Sequence, residues 1–121
     1  MDDAQGEEWF EWLNQAVPWN WTRIDWNRME VFRRVKTESV LDNLRELGIP
    51  DENPQVLIMW DEASLPVVET NLESVLRHIA DVTAVSFDTW IVDSQRRFVL
   101  EHYHEDDWDD HTLGLVPGTR V

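Results

Sequence analysis

Residues 83–104 read TAVSFDTWIVDSQRRFVLEHYH, and this stretch decides the fold. Its first part, 83–92, alternates. Val85, Phe87, Thr89 and Ile91 fall on one face, with Ala84, Ser86, Asp88, Trp90 and Val92 on the other, the two-residue period of a β-strand. Asp93-Ser94-Gln95-Arg96 is a polar turn of hairpin length. Residues 97–104 then place Phe98, Leu100, His102 and His104 on one face and Val99, Glu101 and Tyr103 on the other. The stretch therefore reads as an antiparallel hairpin. Outward from it, Gln55 to Trp60 is a short apolar run of the kind expected of a central strand, and Thr112 to Val116 is a last short strand before Pro117-Gly118.

The remaining chain carries helical spacing. In residues 7–16, Trp9, Phe10, Leu13 and Ala16/Val17 recur on one stripe, the early acids suit the positive end of a helix, and Pro18 ends the pattern. Residues 18–25, with Trp19, Trp21 and Thr22, read as irregular. Asp25 can cap a helix from Trp26 to about Val35; the alternative there is a strand, Val31 to Val35. Residues 38–47 form a helix with the stripe Val40, Leu41, Leu44 and Leu47, capped by Thr37 or Ser39 and ended by Gly48 and Pro50. Residues 51–54 are a turn and 61–66 a loop. Thr70 or Asn71 can cap a further helix with Leu72, Val75, Leu76 and Ile79 on its buried side. The sum is an α+β single domain over residues 1–121. It has a mainly antiparallel sheet of about four strands, with the N-terminal helices and one inserted helix packed on one face.

Composition narrows the function. Ten basic residues against 25 acidic give a net charge of −15 in 121 residues. Such a chain is repelled by nucleic-acid backbones and anionic lipid and is drawn to basic proteins. With no cysteine, thiol catalysis, disulfides and thiolate metal sites are excluded. Met1-Asp2-Asp3 opens no signal peptide, apolar runs are five residues or fewer, and the expected compartment is the cytoplasm. Eight tryptophans are more than a small domain hides easily, so one or two are expected at the surface.

No glycine loop for phosphate and no nucleophile elbow is present. The one dense polar run is His102-Tyr103-His104-Glu105-Asp106-Asp107-Trp108-Asp109-Asp110-His111. His102 and His104, two apart on a strand, could chelate a metal with a carboxylate; the plainer reading is a strand end and a solvated acidic loop. Trp108 among carboxylates suits a basic protein partner, because the ring anchors and the acids steer; it could equally fold back onto the core.

Three segments carry a family likeness: Val56 to Asp61, Pro66 to Thr70 leading into a helix, and Ser86 to Asp93 followed by Phe98 to Glu105. A strand ending Asp88-Thr89-Trp90, a hairpin, a strand ending Glu101-x-x-His104-Glu105 and Thr112-Leu113-Gly114 beyond it resemble small immunity proteins of bacterial contact-dependent growth inhibition and related polymorphic toxin systems. The likeness covers residues 56–116. It implies a cytoplasmic, non-enzymatic inhibitor without cofactor, which binds a cognate toxin domain, often a nuclease, and occludes its active site. The Asp88-Thr89-Trp90 and Glu101-His104-Glu105 positions are expected to hold the hairpin together. Where the family pattern has a glycine turn, this chain has a longer acidic loop, a place for partner specificity. The expected toxin-binding residues are Asp106, Asp107, Trp108, Asp109 and Asp110, with Asp61 and Glu62 secondary. The competing readings are another acidic interaction protein (a nucleic-acid mimic or an adaptor) and a small metal-dependent enzyme using His102 and His104.

Overall fold

Six antiparallel strands form the main sheet of the protein in a computed structural model, which describes residues 1–119. The elements are α1 (Asp3–Ala16), β1 (Trp19–Asn20), β2 (Arg23–Ile24), β3 (Phe32–Lys36), α2 (Val40–Glu46), β4 (Gln55–Trp60), β5 (Val68–Asn71), α3 (Leu72–Arg77), α4 (Ile79–Thr83), β6 (Thr89–Asp93), β7 (Phe98–His102) and β8 (Asp110–Leu115). The main sheet runs β3-β8-β7-β6-β4-β5, and β1 and β2 make a separate two-stranded ribbon.

The α+β class and the central hairpin stand, but the sheet is wider than about four strands. The two strands beyond the expected four, β3 and β5, lie at its edges. Edge strands are polar on one side and short, so they lack the apolar run that marks β4. The helix expected from Trp26 to Val35 is instead a 3-10 turn at Trp26–Arg28 followed by β3. Pairing of β3 with β8, Arg33 opposite Leu113 and Val35 opposite His111, overrides the local helical spacing. The strand expected from residue 83 starts only at Thr89; Ile79–Thr83 is helical, with the Thr83 hydroxyl bonded back to the Ile79 carbonyl at 2.8 Å. Residues 19–24, read as irregular, form the β1–β2 ribbon.

Helices cover both faces of the sheet, not one. β6 and β7 are buried at every position, which requires cover on each side. On one face Leu57, Met59, Trp90, Val92 and Val99 meet Leu13, Val17, Ile24 and Trp26 from α1 and the ribbon region. On the other, Ile58, Ile91, Phe98, Leu100 and Leu113 meet Val40, Leu44, Leu72, Val75 and Ile79 from α2, α3 and α4. Each such side chain contributes roughly 1.5–3 kcal/mol on full burial.

Local signals set the helix ends. Asp2 and Gln5 exchange bonds in a capping box at α1, and Asn71 accepts from the Ser74 N–H at 2.9 Å at α3. Gly48, at φ +96°, closes α2, and the Ile49 N–H reaches the Leu44 carbonyl at 2.9 Å. Gly114 serves a different need. A Cβ there would stand 2.6 Å from Cζ3 of Trp26, so only glycine lets this indole lie on β8.

Candidate functional site

One end of the sheet gathers the acidic loop and its neighbours. Strands β3, β4 and β7 finish there, and β6 and β8 begin there. The connections 61–67, 84–88 and 103–109 therefore share that end with the start of the 3-10 turn Thr37–Ser39.

The 103–109 loop is built from two tight turns, Asp106 N–H to Tyr103 carbonyl and Asp110 N–H to Asp107 carbonyl, each 2.9 Å. Two of its acids, and Asp110 at the start of β8, face inward to the chain. Asp106 takes both Arg34 guanidinium nitrogens, at 3.2 and 3.3 Å, and the Tyr103 N–H at 3.2 Å. Asp109 accepts from the Thr37 N–H at 3.1 Å, and Thr37, through its hydroxyl first and this N–H after, holds the carboxyl below the ordinary range. Asp110 pairs with Lys36 at 2.5 Å; the bond lowers the carboxyl and raises the ammonium. Asp107 and Trp108 instead face solvent, and Trp108 is 62% exposed. The ring lines a groove of about 410 Å³ together with Leu76, Arg77, His78 and Ile79.

Asp61 and Glu62 lie on the neighbouring loop. Asp61 accepts from the Ser86 hydroxyl at 2.6 Å and from the Asp88 N–H at 3.1 Å, so it ties 61–67 to 84–88. Glu62 accepts only a local bond from Ser64, at 3.1 Å, and is exposed.

The two histidines proposed as a chelate are not brought together. β7 ends at His102, so the alternation does not reach His104. His104 binds Asp88 through its backbone N–H at 2.9 Å and through Nδ1 at 3.0 Å. His102 is buried with Nδ1 3.1 Å from Nδ1 of His111 and 3.0 Å from the Asp110 carbonyl. Among the described residues no group of three histidines, cysteines or carboxylates could hold a metal ion. His111, the last residue of the polar run, is fully buried beneath the loop, and its Nε2 lies 2.8 Å from the Thr37 hydroxyl. Burial first, then the charge of His102, push it down to about 4.

Two exposed aromatics also escape the sequence reading. Phe87 is 73% exposed and meets the His104 ring edge-on at 5.9 Å. Trp21 is 95% exposed at the tip of the β1–β2 ribbon, at φ +58°. The ribbon lies against this end of the sheet, with the Arg23 guanidinium 4.1 Å over the Tyr103 ring. Of the eight tryptophans only Trp21 and Trp108 are exposed, and both are here. The end thus offers aromatic area and negative charge side by side, the combination that anchors and steers a basic protein surface.

The family model described as CdiI immunity protein EcoliA0-like matches residues 1–109. No curated protein matches the chain.

Proposed function

The chain belongs to the CdiI immunity protein family, and from that premise we propose that it neutralises one cognate toxin domain by stoichiometric binding, without catalysis. The toxin is a basic nuclease, and the acidic-aromatic end of the sheet covers its active-site surface. A nuclease binds a polyanion, so its working face is positive. An inhibitor of charge −15 competes for that face and is steered to it. The observation that carries the reading is the exposure of Trp108 and Asp107 on a loop that Asp106, Asp109 and Asp110 bond into the fold. Such a loop presents its contacts pre-ordered, which limits the entropy lost on binding. Asp61 and Glu62 extend the same acidic rim. The protein acts in the bacterial cytoplasm, where the toxin meets its substrate.

Growth rescue tests this reading. The C-terminal domain of the protein encoded immediately upstream is induced in a bacterial host with and without this chain. Abolished toxicity, copurification and protection of cellular nucleic acid are expected. A toxic domain that the chain neither binds nor restrains overturns the reading.

A further inference from the structure

A second surface lies beside the acidic loop. α1, the β1–β2 ribbon and residues 61–67 enclose a groove of about 1190 Å³. That exceeds the roughly 300–1,000 Å³ of a small-molecule pocket and suits a length of polypeptide. Phe10, Leu13, Trp19, Leu65 and Val67 line it with apolar surface, and Asp2, Asp3, Glu7, Glu11 and Asp61 line it with carboxylates. No Lys, Arg or His side chain is among its lining residues.

Trp21 stands at this groove with almost its whole ring in water. A ribbon tip in the left-handed region favours glycine or asparagine, and a bulky residue there is strained. The ring gains no burial in return.

We propose that this groove receives an arginine-bearing segment of the cognate toxin, with the guanidinium stacked on Trp21 and paired with Glu7, Glu11 or Asp61. The inference rests on the immunity reading and deepens it. Arginine fits better than lysine, because its planar, weakly hydrated head stacks on an indole while donating to carboxylates. The five carboxylates of the lining supply the complementary charge.

Trp21→Gly is the informative variant, since it removes the ring and relieves the φ +58° strain. Binding to the upstream-encoded toxin domain is measured by calorimetry for the wild type, for Trp21→Gly and for Glu7→Lys/Glu11→Lys. The expected result is wild-type binding, a loss of about tenfold or more in each variant, and a thermal midpoint for Trp21→Gly no lower than wild type. Wild-type affinity in both variants overturns the groove and leaves the immunity reading intact. If the wild type does not bind that domain, the immunity pairing has failed. The groove is then tested with an acetylated Leu-Arg-Leu-Arg-Leu amide followed by indole N–H resonances. A shift at Trp21 that Trp21→Gly abolishes supports it, and no shift overturns it.

Discussion

The indole Nε1 of Trp26 donates to Oε1 of Glu101 at 2.9 Å, across 75 positions of sequence. The same carboxylate, 1% exposed on β7, accepts from Nε1 of Trp90 at 3.0 Å and the Ile24 N–H at 2.8 Å, and Arg23 stands 3.4 Å away. One buried charge therefore fastens the ribbon and the turn after it to the sheet. Charged acceptors make stronger bonds than neutral ones, and these donors have no water to turn to. Glu101→Gln keeps the shape but swaps an acceptor for a donor. A loss of about 2–4 kcal/mol in urea unfolding is expected. Unchanged stability would show that the ribbon is held by packing alone.

Arg97 performs a similar task at the opposite end. Its Nε lies 2.5 Å from the fully buried Asp93, and its two terminal nitrogens lie 2.9 and 3.1 Å from Asp51. Arg97 holds the Asp51 carboxyl below its ordinary range through those bonds. Arg97→Leu leaves Asp93 buried without its cation, and a loss of about 3–5 kcal/mol is expected. The double variant with Asp93→Asn should recover part of that loss in the same denaturation series. No recovery would mean that the cost is packing rather than charge.

His111 makes the fold acid-sensitive. In the unfolded chain it takes a proton near pH 6.5, but in the folded chain only at about 4. Between those values the unfolded state holds more protons, so stability is complete above about 6.5 and falls as the pH drops towards 4. The gap corresponds to about 3 kcal/mol. The Nδ1–Nδ1 contact with His102 also needs one ring to accept, which two charged rings cannot provide. Unfolding midpoints measured from pH 7 to 4 should fall less steeply for His111→Gln than for the wild type. Parallel curves would remove His111 as the source.

The loop acids should separate into two groups. Asp107→Lys and Trp108→Ala leave the thermal midpoint within about a degree and weaken toxin binding, the first mainly through a slower association at low salt. Asp106→Lys places a cation against Arg34 and lowers the midpoint as well. Stopped-flow association and thermal melts distinguish these outcomes. Full protection by an Asp106→Lys/Asp107→Lys double variant would move the interface away from this loop.

How far the sequence could be read follows from where burial is one-sided. β4 and the β6–β7 hairpin were legible because apolar runs and a polar turn bracket them. β3, carrying Arg33, Arg34 and Lys36, is legible only as the strand alternative to a helix at Val31–Val35, because its strand character comes from pairing with β8. The false strand start near residue 83 arose because Val85 and Phe87 alternate in register with β6 yet lie exposed on the connection before it. At the site, residue type revealed an acidic loop but not its division of labour. That Asp106, Asp109 and Asp110 are bonded while Asp107 faces out depends on Arg34, Thr37 and Lys36, more than 70 positions away. Trp21 could have been found only by recognising a ribbon in Trp19–Ile24.

The position of β8 has a consequence for the order in which the molecule can be assembled. It lies between β7 and β3, yet it is the last of these strands to leave the ribosome. β3 has no neighbour until β8 arrives, and the acidic loop has no second anchor. A chain halted before residue 110 therefore holds four strands of the sheet in register but leaves β3 off it and the acidic loop tethered on one side only.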